Sequence, residues 1–213
     1  VNRRFITFEG LDGSGKTSVL NYLDQYLKKN SKQNYEITRE PGGNQIAERI
    51  RQLLLDANLL KMDPWTEALL YAAARRQHLV ETVLPALRAG EIVFCDRYVD
   101  SSIVYQGAGR QLGEEKIAEL NDFATDKLQA DLTLYFDLPP EVGLQRINLH
   151  RQNQIDRLDQ EKVEFYQRVR ASYLRLAEQY PARIVKVNAA EPLKNVIEKT
   201  LEILKVKLPI LFK

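Results

Sequence analysis

The chain has 213 residues, 44% of them apolar and 28% charged, with a formal net charge of +2. That length suits one domain burying roughly 70% of its unfolded surface, and the charge excludes bulk electrostatic attraction to nucleic acid or a membrane. One cysteine and two histidines exclude both an internal disulfide framework and a dedicated zinc site.

No apolar run approaches the ~20 residues that span a bilayer. Asn2-Arg-Arg leads straight into a strand pattern without a cleavage signal, so a soluble cytoplasmic protein is expected. The first predicted strand, Phe5–Phe8, runs into Gly10, Leu11, Asp12, Gly13, Ser14, Gly15, Lys16 and Thr17. Gly, four variable residues, Gly, Lys and Thr form a phosphate-cradling loop when they join a strand to a helix. Glycines let successive N–H groups turn around an anion, and the next helix (Lys16–Lys29) adds its positive end. Lys16 is expected on the β- and γ-phosphates and Thr17 on Mg²⁺.

A second strand, Tyr35–Thr38, leads into Thr38-Arg-Glu-Pro-Gly-Gly43 and a helix over Ile46–Leu55. Pro64 suits the first turn of a long helix, Trp65–Ala89, which Pro85 should kink or split. The third strand, Glu91–Cys95, ends in Asp96-Arg97-Tyr98, and Cys95 reads as a small buried hydrophobe. Asp96 suits a water of the Mg²⁺ shell, and Arg97 suits bidentate contact with phosphate oxygens.

A helix over Glu114–Thr125, a strand over Leu132–Phe136 and a helix over Pro140–His150 follow. The polar stretch His150–Asp159 reads as a solvated loop or as a lid over ATP, with Arg151 and Arg157 neutralising the transferring charge. The last elements are a helix over Gln160–Gln179, a strand over Ile184–Val187 and a helix over Pro192–Lys205. The apolar tail Leu208–Lys213 suits a docked end or a contact surface.

Alternating strands and helices predict a doubly wound parallel α/β sheet of about five strands, a P-loop kinase fold in one domain (1–213) with a small lid near 150–160. Ligands of such sheets collect at the carboxyl ends of the strands, where the three motifs converge. The Asn-Lys-x-Asp segment by which switch GTPases read guanine is absent. Arg39, Arg51 and Arg97 supply more anion contacts than one ATP needs, which points to a phosphorylated acceptor. A phosphate acceptor needs no strong base, so positioning and charge neutralisation dominate.

With these motifs, Glu67-Ala-Leu-Leu-Tyr-Ala-Ala-Ala-Arg75-Arg-Gln-His78, Ser101-Ser-Ile-Val-Tyr-Gln-Gly107 and Asp156-Arg-Leu-Asp159, the chain resembles the thymidylate kinase family over about residues 5–205. The resemblance implies the reaction of ATP with dTMP to give ADP and dTDP, for dTTP synthesis. It implies that Tyr71, where the family usually has Phe, stacks on thymine, and that Arg75 donates to O4. It puts Ser102 and Gln106 at the base edge, Tyr105 against the 2′ position, Asp12 near the sugar and phosphate, and Arg39, Arg51 and Arg97 on the acceptor phosphate. The phosphate loop carries no arginine, as in the bacterial branch, whose catalytic arginine lies in the lid; Arg157 is expected to matter most and Arg151 second. A homodimer is implied as well. Two other functions stay open: a deoxynucleoside kinase with Glu40 or Asp96 as base toward a hydroxyl acceptor, and a nucleotide-sensing module.

Overall fold

Alternation along the strands sets the architecture of the computed structural model, which describes residues 4–150 and 157–212. The strands are β1 (Phe5–Gly10), β2 (Tyr35–Arg39), β3 (Ile92–Asp96), β4 (Leu132–Asp137) and β5 (Ile184–Asn188). They form one parallel sheet in the order β2-β3-β1-β4-β5, with Phe8 in register with Asp96 on one side and Leu134 on the other.

Ile6, Phe8, Ile92, Phe94, Leu132, Leu134 and Phe136 point to one face. There they meet Val19, Leu20, Leu23 and Leu27 of α1 (Lys16–Asn30) and Val196 and Leu204 of α9 (Leu193–Lys207). The apolar tail closes this layer: Leu208 and Leu211 are buried, and Phe212 meets the Tyr26 ring. The tail is therefore a docked end. The opposite face of the sheet is partly polar. Thr7 and Thr133 bond at 2.8 Å, Thr133 donates to Asp100, and Arg183 donates to Asp100 through both terminal nitrogens.

The remaining helices include those that carry the site. They are α2 (Gln45–Leu55), α3 (Pro64–His78), α4 (Leu84–Arg88), α5 (Val99–Ser102), α6 (Glu114–Thr125), α7 (Pro140–His150) and α8 (Val163–Gln179). Asn44 caps α2 by accepting from Ala47 N–H, and Asp63 caps α3 by accepting from Trp65 and Thr66. The long pattern up to Ala89 is split ahead of Pro85 by a wider π-type turn over Leu79–Val83. A second such turn, Ile103–Gly109, follows α5, in a region with no expected helix. Wider turns of this kind concentrate at functional positions. Cys95 is fully buried, as expected.

Candidate active site

Two glycines let the loop after β1 close on itself. Gly10 has φ +143 and Gly13 φ +76, and a Cβ would sit 2.6 Å from the Phe136 carbonyl oxygen at Gly10 or 2.6 Å from that of Gly143 at Gly13. No other residue fits this approach to β4 and α7. Inside the loop, Lys16 donates to the carbonyls of Gly10 (3.0 Å) and Leu11 (3.1 Å). Burial pushes its ammonium down to about 8; Arg97 adds to the fall, while Asp96, Asp12 and Glu9 oppose it. Thr17 is exposed to the cavity that the loop lines together with Asp96, Arg97, Arg39, Arg51 and Arg146.

Asp96 fits a cation there. Its Oδ1 is buried and has no hydrogen-bond partner among the described residues, and an ionised oxygen left so is costly unless a cation or its water approaches. Among the described residues a second metal-like cluster, Glu40, His78 and Cys95, is taken up internally. His78 bonds Thr38 (2.7 Å) and Glu40 (2.9 Å), and the other Glu40 oxygen accepts from Arg75 at 2.7 Å. Both Glu40 oxygens are thus engaged by Arg75 and His78, which weakens the case for Glu40 as a base toward a hydroxyl acceptor.

Arg97 sits where two cavities meet. Its φ of +70 is a left-handed conformation that costs a side-chain-bearing residue about 1 kcal/mol. The surrounding bonds hold it: Arg97 N–H donates to Phe8, Tyr98 N–H to Glu9 (2.7 Å), and Glu40 N–H to Asp96. Its guanidinium donates to Asp12 (3.0 Å), Ser101 (3.1 Å) and Tyr105 (3.3 Å). Buried Glu9 also accepts from Ser101 (2.5 Å) and Tyr173 (2.7 Å), so it underpins the turn that presents Arg97.

The second cavity is lined by Tyr71, Arg75, Ser102, Tyr105 and Gln106, with Leu55 and Leu158, and shares Asp12, Glu40, Arg51 and Arg97 with the first. Arg75 is 2% exposed. It donates to Glu40, Ser102 (2.9 Å), Asn121 and the Tyr98 carbonyl (3.0 Å), which leaves one of its five N–H groups for the cavity. Arg51 donates to the Pro41 carbonyl at 3.0 Å. Arg39 lines only the first cavity and pairs with Glu48 at 2.8 Å.

The structure brings together all of the residues expected from sequence except two. Arg151 lies outside the described residues. Arg157 was expected over the transferring phosphoryl, but its buried guanidinium pairs with Glu67 at 2.6 Å and donates to the Leu54 carbonyl, and it lines neither cavity. A buried cation takes the nearest buried carboxylate, and Glu67 supplies it. Sequence reasoning assigned no role to Glu67 or Glu9, although both lie in the motifs. It also missed Arg146, which donates to the Gly13 and Ala189 carbonyls beside the phosphate loop; a lone arginine on a helix gives no signal.

The family model described as thymidylate kinase matches residues 8–200. A thymidylate kinase of Latilactobacillus sakei subsp. sakei (strain 23K) is 58% identical over 94% of each chain. One from Enterococcus faecalis (strain ATCC 700802 / V583) is 57% identical over 92% of each chain. A crystal structure of thymidylate kinase from Ehrlichia chaffeensis superposes with a TM-score of 0.75 at 32% identity, covering 95% of this chain and 98% of that one.

Proposed function

The chain belongs to the thymidylate kinase family and transfers the γ-phosphoryl group of ATP to dTMP, giving dTDP and ADP, and on that footing we propose how its own residues divide the work. Thymidylate occupies the cavity of Tyr71, Arg75 and Gln106, and ATP occupies the phosphate-loop cavity. The observation that carries this reading is that Asp12, Arg51 and Arg97 line both cavities, so two phosphate chains entering from opposite sides meet there.

Thymine stacks on Tyr71, the free N–H of Arg75 donates to O4, and Tyr105 crowds the 2′ position. Arg97 and Arg51, with Arg39 at the rim, hold the acceptor phosphate in line, and Asp12 orients Arg97. No base is required, since the acceptor is already an anionic oxygen. Gly10, Leu11, Gly13, Ser14 and Gly15 cradle the donor phosphates by backbone N–H groups, and Lys16 balances the charge that builds between the β- and γ-oxygens.

Thr17 and, through water, Asp96 would hold Mg²⁺, which when bound supplies further neutralisation of phosphate oxygens. We assign the lid over ATP to the segment near 150–160 and its charge to Arg151, with Arg157 as an anchor on Glu67. Leu69 and Phe123, 54% and 85% exposed, border a groove over Ala72 and Ala73 between α3 and α6 that suits a second copy of this chain. A Phe123→Glu chain that stays dimeric by light scattering would refute that placement. Among the described residues no helix is long and apolar enough to cross a membrane, and a cytoplasmic setting fits the lone buried thiol of Cys95.

The test is ADP release with each common nucleoside monophosphate and with thymidine. dTMP should be fastest, dUMP slower for want of one methyl, and dCMP and thymidine nearly inert. Equal rates with dCMP, or preference for thymidine, would contradict the assignment.

A further inference from the structure

Glu67 takes no part in the chemistry above, yet it is wholly buried and gathers three partners. It sits one turn before Tyr71 and two before Arg75 on α3, so it shares their face of the helix. Oε1 accepts from Gln106 Nε2 at 2.8 Å. Arg110 reaches Oε1 and Oε2 through Nε at 3.2 Å each, and Arg157 pairs with Oε2 at 2.6 Å. Burial alone would raise the Glu67 carboxyl, but Arg110, Gln106 and Arg157 together hold it below its ordinary range.

An ionised carboxylate can only accept hydrogen bonds. The Gln106 amide has one donor end and one acceptor end, so only its NH₂ can face Glu67. Turned over, its oxygen would lie against a carboxylate oxygen with no proton between them. Gln106 is 2% exposed, it lines the base pocket, and no partner is shown for its carbonyl oxygen among the described residues. We infer that Glu67 sets the base specificity of this enzyme by locking Gln106 with its carbonyl oxygen toward the acceptor base. The inference rests on reading that cavity as the thymidylate pocket.

The consequence is a two-point code. Thymine presents an N3–H donor and an O4 acceptor, matched by the Gln106 oxygen and the remaining Arg75 N–H. Cytosine presents an acceptor at N3 and an amino donor at C4, so both points fail together, whereas uracil satisfies both. Glu67 thereby excludes cytosine without touching it.

The test is the Glu67→Gln variant. A neutral amide can offer either end, so Gln106 is free to turn. The ratio of kcat/KM for dTMP over dCMP should fall at least ~10-fold, while the ratio for dTMP over dUMP stays unchanged. Loss of ion pairing alone would slow all three nucleotides alike and leave both ratios intact, and that result would overturn the inference. Should this variant not fold, Gln106→Met leaves Glu67 with its two arginines and should lower the dTMP/dCMP ratio in the same way; an unchanged ratio there would equally overturn it. If Glu67→Gln does fold, combining the two substitutions should lower the ratio no further than either alone. If the unaltered enzyme fails to prefer dTMP over dCMP, the pocket reading itself fails; if it prefers dTMP and the variants do too, only the role of Glu67 is lost.

Discussion

Arg97 donates to Asp12 at 3.0 Å across the junction of the two cavities. The bond ties the end of β3 to the phosphate loop, and with the bonds to Ser101 and Tyr105 it fixes the guanidinium where both cavities reach it. Lysine offers one point of charge in place of a planar fork. Arg97→Lys should therefore lower kcat ~100-fold or more while the melting temperature stays within a few degrees. Steady-state turnover and a thermal melt check both parts.

Arg75 and Glu40 are an ion pair 2–3% exposed, with His78 on the other Glu40 oxygen. Removing one partner strands the other in a dry site. Arg75→Ala should cost about 3–5 kcal/mol in urea unfolding, while Arg39→Ala, whose Glu48 pair lies at the surface, should cost less than about 1 kcal/mol. Equal losses would mean that the Arg75 network is not the buried keystone described.

The free enzyme holds Lys16 near 8. Binding of an anionic triphosphate favours the charged amine, so kcat/KM for ATP should fall as pH rises through about 8. At saturating ATP the same limb should move upward by a unit or more, because the bound phosphates raise the pKa. A pH–rate profile flat from 7 to 9.5 in kcat/KM would contradict this.

Burial pushes the Glu9 carboxyl up to about 7, with Asp100 adding to the rise and Ser101, Arg97 and Tyr173 opposing it. In the unfolded chain the group titrates at its ordinary 4.5. Between these values the native chain keeps a proton that the unfolded chain has lost, so this group's contribution to stability falls as pH climbs from 4.5 to 7 and is flat above. Glu9→Gln cannot ionise; it should gain on the parent through that window, by on the order of 3 kcal/mol at pH 8. Parallel stability curves from pH 4.5 to 8 would refute the assignment.

Strands were legible within one or two residues because each is a short apolar run bounded by turn residues, and β1 announced its own ligand through Gly10–Thr17. The convergence of Arg39, Asp96 and Arg97 followed from their places at or just past the carboxyl ends of predicted strands. What stayed hidden depends on contacts between distant segments. Arg157 looks like any lid arginine until α3 brings Glu67 under it. The π-type turn over Ile103–Gly109 has no periodic signature, yet it aims Tyr105 and Gln106 into the pocket. The Arg97 backbone conformation is equally silent in sequence, since glycine would be the expected residue at φ +70.

A crystal of the enzyme grown with dTMP and a non-hydrolysable ATP analogue puts the two-cavity arrangement to its hardest trial. Thymine should stack on Tyr71 within hydrogen-bond reach of Arg75, the two phosphate chains should face each other at Arg97, and Lys16 should have left the Gly10 and Leu11 carbonyls for the triphosphate. Thymine bound elsewhere, or Lys16 still turned back on its own loop with the analogue in place, would contradict it.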